Sequence, residues 1–329
     1  MKTKNYLFIV GIFLVTIITL SIIIVLRPDE NTGDEEISEE LRAVRQTFVC
    51  ELSEDKTHYI IFGLKNPEQR YDEIVFPSKI DDLPVSKIID KKNQNFIDFK
   101  NVKKVFIPDS ITYIGTDEKD NSIANRPFLQ STNLNEIVVD ENNPVYASEN
   151  GILYNKDKSI LIRYPISRVE DEGTLSFSFN DNVTEIYNYA FANNLALLNI
   201  SFNENITKIG SAAFYKCRNL RNVSFDKNSN ISVIMAYAFE DCQNIIKLDL
   251  PNGVTSIGSS AFRGCINLIS IYIPSSVTSF GSHIFTGDYN LKTIFTESEN
   301  IEVLNTKEIL DKLSLNKNVE IKDIKENEK

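Results

Sequence analysis

The sequence predicts an α/β repeat solenoid that is mainly β, a right-handed coil whose successive turns pair their short strands in parallel. One observation is a stretch that recurs almost unchanged, as IGSAAFYKCRNLRNVSF at Ile209–Phe225 and as IGSSAFRGCINLISIYI at Ile257–Ile273. The other is that each copy ends in the pattern apolar-x-x-apolar-x-apolar. Periods of about 20–30 residues with such an ending are typical of solenoids.

The repeat is organised around a column of phenylalanines: Phe96, Phe128, Phe191, Phe214, Phe239, Phe262 and Phe285. An apolar column precedes it, made of Ile114, Ile186, Ile209, Ile234, Ile257 and Phe280. Alternate side chains of a strand point the same way, so these columns and the apolar ending face inward. One coil cannot bury its own Phe, so the coils must stack. We expect Gly115, Gly210, Gly258 and Gly281 to relieve the backbone as it turns towards the Phe.

The repeat is interrupted once, because Phe128 and Phe191 lie 63 residues apart. The extra residues form a predicted insert at 140–178. Within it, Gly151–Tyr154 and Ile160–Tyr164 flank polar turn residues, which predicts a β-hairpin. Thr174–Phe179 then predicts a return to the strand ladder.

The remaining boundaries follow from composition. Residues 78–298 are the predicted repeats, with an N-terminal cap at 47–77 that opens like a hairpin and a C-terminal cap at 299–329, because solenoid ends need polar-faced covers. Residues 27–46 are predicted as an acidic, extended linker, since seven carboxylates and no Lys or Arg lie between Asp29 and Glu40.

The N-terminal segment predicts a membrane anchor. Tyr6–Leu26 is a run of 21 residues without a charge, and as a helix it would span about 31 Å, the thickness of a bilayer core. Lys2 and Lys4 outweigh Arg27, which places residues 1–26 as a cytoplasmic N-terminus with a transmembrane anchor and the repeats outside the cell. The lipid bilayer is thus a predicted partner through residues 6–26. A cleaved signal peptide is the alternative.

The repeat can now be compared with a known family. The pattern V-T-x-I-G-x-x-A-F-x-x-C-x-x-L-x-x-I-x-I, matched at nearly every position by Val254–Ile273, resembles the BspA-type (Treponema-type) leucine-rich repeat of bacterial surface proteins. The resemblance covers roughly residues 47–298. It implies a leucine-rich repeat fold and, more loosely, an exposed surface protein, some members being adhesins. It supplies no catalytic residue.

Catalysis, cofactors and nucleic-acid binding are not predicted. The net charge is −11 and the sequence has no basic cluster of the kind that binds nucleic acid. The two histidines lack a zinc-site pattern, and the common nucleotide and hydrolase motifs are missing, so we predict no enzyme, no metal and no cofactor. Cys217, Cys242 and Cys265 each follow a Phe by three residues, and their parallel, inward placement predicts buried free thiols rather than disulfides.

The candidate binding surface is the outward side of the strands. Lys247, Asp249, Tyr272 and Phe295 combine two aromatic rings with a charged pair, which is typical of interface centres. The alternative is that the closing cap folds over Phe295 and completes the core. The sequence therefore predicts an extracellular binding module for adhesion or protein recognition, with a protein or polysaccharide ligand; a structural component of the cell envelope is the other hypothesis.

Overall fold

The computed structural model describes residues 38–90, 99–116, 128–129, 131–168 and 176–325. The predicted anchor at 6–26, the linker up to residue 37 and Phe96 lie outside the described residues. Within the described ranges, no helix combines the length and the apolar character needed to cross a bilayer.

The N-terminal cap begins with a helix. The elements of the cap and of the first coil are α1 (Glu39–Thr47), β1 (Phe48–Leu52), β2 (Tyr59–Leu64), β3 (Tyr71–Val75), β4 (Lys79–Ile80) and β5 (Leu83–Asp90). The predicted opening hairpin is confirmed, because β1 pairs antiparallel with β2. Strand β2 then pairs in parallel with β5, which joins the cap to the coil.

The prediction of an extended linker is wrong for residues 39–46, which belong to α1. Ser38 caps this helix by accepting the Leu41 N–H at 3.1 Å, and such caps satisfy donors that the first turn leaves unpaired. Leu41 and Val44 are buried against the N-terminal core. Charge density favoured an extended chain, but the apolar face of the helix outweighs it.

The repeats form a mainly β solenoid of about nine turns. Their strands are β6 (Val102–Ile107), β7 (Tyr113–Thr116), β8 (Glu136–Val139), β9 (Tyr146–Glu149), β10 (Ile152–Asn155), β11 (Ile160–Arg163), β12 (Ser176–Ser178), β13 (Glu185–Ile186), β14 (Asn199–Phe202), β15 (Lys208–Ile209), β16 (Asn222–Phe225), β17 (Val233–Ile234), β18 (Lys247–Asp249), β19 (Ser256–Ile257), β20 (Ser270–Tyr272), β21 (Ser279–Phe280) and β22 (Thr293–Thr296). The coils pair in parallel, as predicted. One side of the coil, which we call the strand face, carries β3-β6-β8, β12-β14-β16 and β18-β20-β22.

The other side carries two-residue strands that contain the Ile column. They run in the order β21-β19-β17-β15-β13 and continue into β11-β10-β9 of the insert. The predicted hairpin is confirmed, because β10 pairs antiparallel with β11, and β9 adds a third antiparallel strand. Strand β12 then pairs in parallel with β14, which confirms the predicted return to the ladder.

The Phe column forms a continuous stack in the core. Phe191, Phe214, Phe239, Phe262 and Phe285 are at most 1% exposed. Neighbouring rings lie 5.0–5.8 Å apart between centroids and within 15° of parallel. Burying a Phe contributes about 2–3 kcal/mol, so the stack accounts for the strictness of the repeat.

The glycines have a different role from the one predicted. Gly210, Gly258 and Gly281 do not have a left-handed φ; instead, a Cβ on Gly258 would lie 2.3 Å from the Ala236 nitrogen of the preceding coil. Glycine is needed there because the backbones of successive coils approach closely. In the coils from Phe191 to Phe285, the residues with a left-handed φ are the second residue before and the second residue after the Phe. Tyr237, at φ 61°, and Asp241, at φ 59°, flank Phe239 in this way.

The C-terminal cap closes the core with short helices and one more strand. A 3-10 turn (Ser298–Asn300) is followed by α2 (Ile301–Leu304), α3 (Lys307–Leu313) and β23 (Glu320–Asp323). Leu304 and Leu313 are fully buried, and the Phe285 N–H donates to the Leu313 carbonyl at 3.0 Å. Strand β23 pairs in parallel with β22, so the cap also extends the strand face.

Candidate functional site

The structure brings the four predicted site residues together on the strand face. Strands β18, β20 and β22 pair in register, so Asp249, Tyr272 and Phe295 lie opposite one another on three neighbouring strands. Lys247 lies two residues before Asp249 and faces the same way, next to Ser270. Neighbouring strands are about 4.8 Å apart, so these side chains form one small patch.

Hydrogen bonds hold the polar part of this patch in place. Lys247 Nζ lies 3.0 Å from Asp249 Oδ2, an exposed ion pair of the kind that contributes about 0–1 kcal/mol. The Tyr272 hydroxyl donates to Glu297 Oε1 at 2.7 Å and lies 3.1 Å from Asn252 Oδ1. Partial burial, followed by the neighbouring Glu297 carboxylate, raises the pKa of Tyr272. The Tyr272 ring is therefore a fixed neutral surface at physiological pH.

The C-terminal cap lies beside Phe295, whose side chain is half-buried and outside the core cluster. Ile294 and Thr296 point inward and are fully buried, whereas Phe295 between them is half-buried on the outer side. Strand β23 lies beside β22 and places Lys322 opposite Phe295. The cap therefore adds a basic neighbour to the patch, and the core is closed by the helices instead.

A groove that the sequence analysis missed runs along the corner where each coil enters its strand. One wall is made of Asn244, Asn267 and Asn290, five residues after successive Phe residues. The other wall comprises Arg221, Ile246, Ile269 and Lys292, seven residues after the Phe. The volume of this corner groove is about 500 Å³. The two columns were visible in the sequence, but only the structure shows that they line one groove.

The corner groove borders the strand face. Ile246 immediately precedes Lys247, and Ile269 immediately precedes Ser270. Both isoleucines are exposed, to 55% and 43% respectively. Adjacent exposed apolar side chains, unlike scattered ones, are characteristic of interaction surfaces.

Residues 170–292 match the family model of the BspA type leucine rich repeat region, in six copies. This part of the chain is a BspA-type leucine-rich repeat region. No protein of curated function matches the chain in sequence. The resemblance read from the repeat motif is thereby confirmed.

Two solved structures are similar to this chain in fold. The pneumococcal vaccine antigen PcpA is similar at a TM-score of 0.58 and 23% identity, over 77% of this chain and 62% of that one. A leucine rich cell surface protein from Faecalibacterium prausnitzii A2-165 is similar at a TM-score of 0.55 and 21% identity, over 74% and 62%. The chain thus spans about 62% of the length of each of these structures. At such identities the similarity shows the fold alone.

The cysteines of the BspA-type repeats are structural. Cys217, Cys242 and Cys265 are free and buried, as predicted. Each Sγ lies 3.1–3.3 Å from the carbonyl of a Phe in the preceding coil, for example Cys242 and Phe214. Burial raises the pKa of Cys217 to about 12 and also raises those of the other two. A thiol with so high a pKa is a poor nucleophile.

The part of the chain that the structure describes contains no group of three or more His, Cys, Asp or Glu side chains able to hold a metal ion. A leucine-rich repeat solenoid of this kind is typical of binding modules. Its outer surface offers half-buried rings on the strand face and exposed isoleucines, amides and charges along the corner groove.

Proposed function

We propose that the chain is a membrane-anchored extracellular module that recognises a protein partner through the patch Lys247, Asp249, Tyr272 and Phe295. The observation that carries this proposal is the pair of aromatic residues facing outward on neighbouring strands. In the equivalent position of earlier coils the residues are Ser201 and Ser224, whose hydroxyls lie 2.9 Å apart. Large rings are thus not needed by the fold at this position, and aromatic residues dominate the energy of protein interfaces.

The cellular setting rests on two supports. The Faecalibacterium relative is described as a cell surface protein and the pneumococcal one as a vaccine antigen, and this chain has the uncharged segment Tyr6–Leu26. Leucine-rich repeat surface proteins serve in protein recognition or adhesion, and their stacked strands present many contact points at once. A polysaccharide ligand is the alternative partner.

The direct test of the site is photo-crosslinking on intact cells. A benzophenone amino acid placed at 272 or at 295 should give the same adduct in the full-length protein. The same group at Thr207, which is exposed on the opposite side of the coil, is the control and should give none. An adduct from 207 alone would place the partner on the other side of the solenoid.

The first prediction concerns affinity. Tyr272→Ser combined with Asp249→Lys should weaken binding of the crosslinked partner at least tenfold, because truncating a central interface residue typically costs more than about 1.4 kcal/mol. Affinity is measured by titration of the purified full-length protein. Glu204→Lys, an exposed substitution with the same charge change as Asp249→Lys, is the control. Unchanged affinity in a variant with unchanged urea midpoint would contradict the assignment.

The second prediction concerns the anchor. If Tyr6–Leu26 is an uncleaved span with the repeats outside, the protein recovered from membranes retains this segment and stays with them after a high-salt wash. Protease added to intact cells should digest the repeats. A mature chain beginning near Arg27 in the culture fluid would contradict the anchor and favour a cleaved signal peptide.

A further inference from the structure

The corner groove differs from the rest of the surface in its charge. Arg221 and Lys292 lie at its two ends, and both are exposed. Among the described residues neither forms an ion pair, whereas Lys208 is paired with Glu185 at 2.7 Å and Arg263 with Glu240 at 3.1 Å. The chain as a whole carries a net charge of −11. Two cations without a carboxylate partner therefore make the groove suited to an anionic ligand.

The wall between the two cations is apolar, and backbone hydrogen bonds join its coils. The Ile269 N–H donates to the Ile246 carbonyl at 2.8 Å, and the Lys292 N–H donates to the Ile269 carbonyl at 2.9 Å. The wall residues of three coils are thus joined by backbone hydrogen bonds. The side chains of Ile246 and Ile269 are exposed, so a ligand that covers them gains by removing apolar surface from water.

The opposite wall can accept hydrogen bonds. Asn290 Nδ2 donates to the Ile266 carbonyl at 2.8 Å, and Asn267 Nδ2 points to Asn244 Oδ1 at 3.4 Å. The amide nitrogens are therefore used within the ladder. The side-chain oxygens of Asn267 and Asn290 have no donor among the described residues, which leaves them available to N–H groups of a ligand.

The spacing of the coils sets the length of the ligand. Arg221 and Lys292 are three coils apart, about 14 Å at a strand spacing of about 4.8 Å. An extended peptide rises about 3.4 Å per residue, so residues i and i+4 span the same distance. Side chains alternate along an extended chain, which places i, i+2 and i+4 on one face. Residue i+2 would then lie over Ile246 and Ile269.

We propose that the corner groove binds an extended peptide of a partner protein in which two carboxylates four residues apart flank a central aliphatic residue. The carboxylates meet Arg221 and Lys292, the aliphatic side chain packs on Ile246 and Ile269, and peptide N–H groups donate to the asparagine wall.

The test uses defined peptides and the full-length protein in detergent. A fluorescent peptide with the centre Glu-Ser-Leu-Ser-Glu in a Gly-Ser context is titrated by anisotropy at low and moderate salt. We expect saturable binding that weakens as salt rises. Replacing the central Leu by Ser should weaken it at least fivefold, and so should Ile246→Ser with Ile269→Ser.

Reversing the charges of Arg221 and Lys292 is the most discriminating test of the proposal. Arg221→Glu with Lys292→Glu should weaken the acidic peptide at least tenfold, and the same variant should gain binding of a Lys-Ser-Leu-Ser-Lys peptide. Lys227→Glu with Lys79→Glu makes the same charge change at exposed positions outside the groove and should change affinity less than twofold. Equal loss in both double variants would mean general electrostatics and overturn the proposal.

Two other outcomes would also overturn it. One is the absence of saturable binding of the acidic peptide at millimolar concentration. The other is binding of an acidic polysaccharide, polygalacturonate, that depends on Arg221 and Lys292 while the peptide does not bind. The substitutions leave Tyr272 and Phe295 unchanged, so either result is independent of the site proposed on the strand face.

Discussion

Replacing Phe239 by Ala is expected to lower the free energy of unfolding by about 3–5 kcal/mol, the usual loss for a buried Phe. The Phe239 ring is fully buried and lies between the rings of Phe214, at 5.1 Å, and Phe262, at 5.7 Å. The substitution therefore removes two stacking contacts and opens a cavity in the core that these coils share. Urea unfolding followed by far-UV circular dichroism measures the loss.

The control is the same Phe→Ala truncation at a residue on the outer side of the coil. Phe295→Ala removes a ring that is only half-buried, so its effect should be clearly smaller. Lys247→Ala, at an exposed ion pair, should lie within about 0.5 kcal/mol of wild type. Equal losses for Phe239→Ala and Phe295→Ala would show that the Phe column is not the main source of stability.

The Phe stack could be predicted from the sequence because every coil is under the same packing constraint. Each coil must bury a ring against the next, so the same residue type recurs at a nearly fixed spacing. The N-terminal coils are less regular, and there the spacing is ambiguous. The repeat alignment selected Phe96, which lies outside the described residues. It did not identify Phe99, whose ring is buried in the core, 5.6 Å from Phe76 and 5.8 Å from Phe128.

Single exceptions within a column cannot be predicted from the repeat. Arg163 precedes Tyr164, whose ring stacks on Phe191 at 5.0 Å, in the position that Ala190 occupies in the next coil. Its side chain is 1% exposed and one nitrogen, Nη1, donates to the Tyr189 carbonyl at 2.6 Å. Burial lowers the pKa of Arg163 to about 10. A charged residue is normally predicted to be exposed, so nothing in the sequence identifies it as part of the interior.

The two candidate surfaces also differ in whether the sequence could predict them. The patch on the strand face could be predicted because strand alternation alone decides which residues point outward. The corner groove could not, since its walls belong to a turn whose curvature is set by the left-handed residues around each Phe and by the close approach of glycine backbones. Periodicity identifies the columns, but it does not tell which columns face one another.

The stability of the protein is expected to fall as the pH rises from about 4 to about 8, because of Asp288. This residue follows Phe285 by three positions, where the preceding coils have Cys242 and Cys265. It is 1% exposed, and neither carboxyl oxygen has a hydrogen-bond partner among the described residues. Burial raises the pKa of Asp288 from 3.8 to about 8, and the nearby N–H groups of Cys265 and Gly264, which are bonded to carbonyl oxygens, offset only part of this effect.

The direction of this change in stability follows from which state of the chain, folded or unfolded, ionises at the lower pH. Below pH 4 the carboxyl is protonated in both the folded and the unfolded chain, so it does not penalise folding. Above pH 4 the unfolded chain ionises while the folded one keeps its proton, and the free energy of unfolding falls by about 1.4 kcal/mol per pH unit. Above pH 8 both states are ionised and the loss stays constant, at about 4–6 kcal/mol in total.

Asp288→Asn isolates this contribution, because the amide has nearly the same shape and does not titrate. The free energy of unfolding of wild type minus that of the variant, from urea titrations between pH 5 and pH 9, should decline up to pH 8 and then level off. Asp288→Cys, which restores the residue of the preceding coils, should behave like the Asn variant.

The C-terminal cap should respond first to the ionisation of Asp288, since Asn316 Nδ2 donates to the Asp288 carbonyl at 2.9 Å and the Phe285 amide donates to the Leu313 carbonyl. Hydrogen exchange of the Phe285 amide should therefore accelerate with pH more in wild type than in Asp288→Asn. A constant difference between the two urea titrations would show instead that Asp288 is already ionised in the folded protein at pH 5.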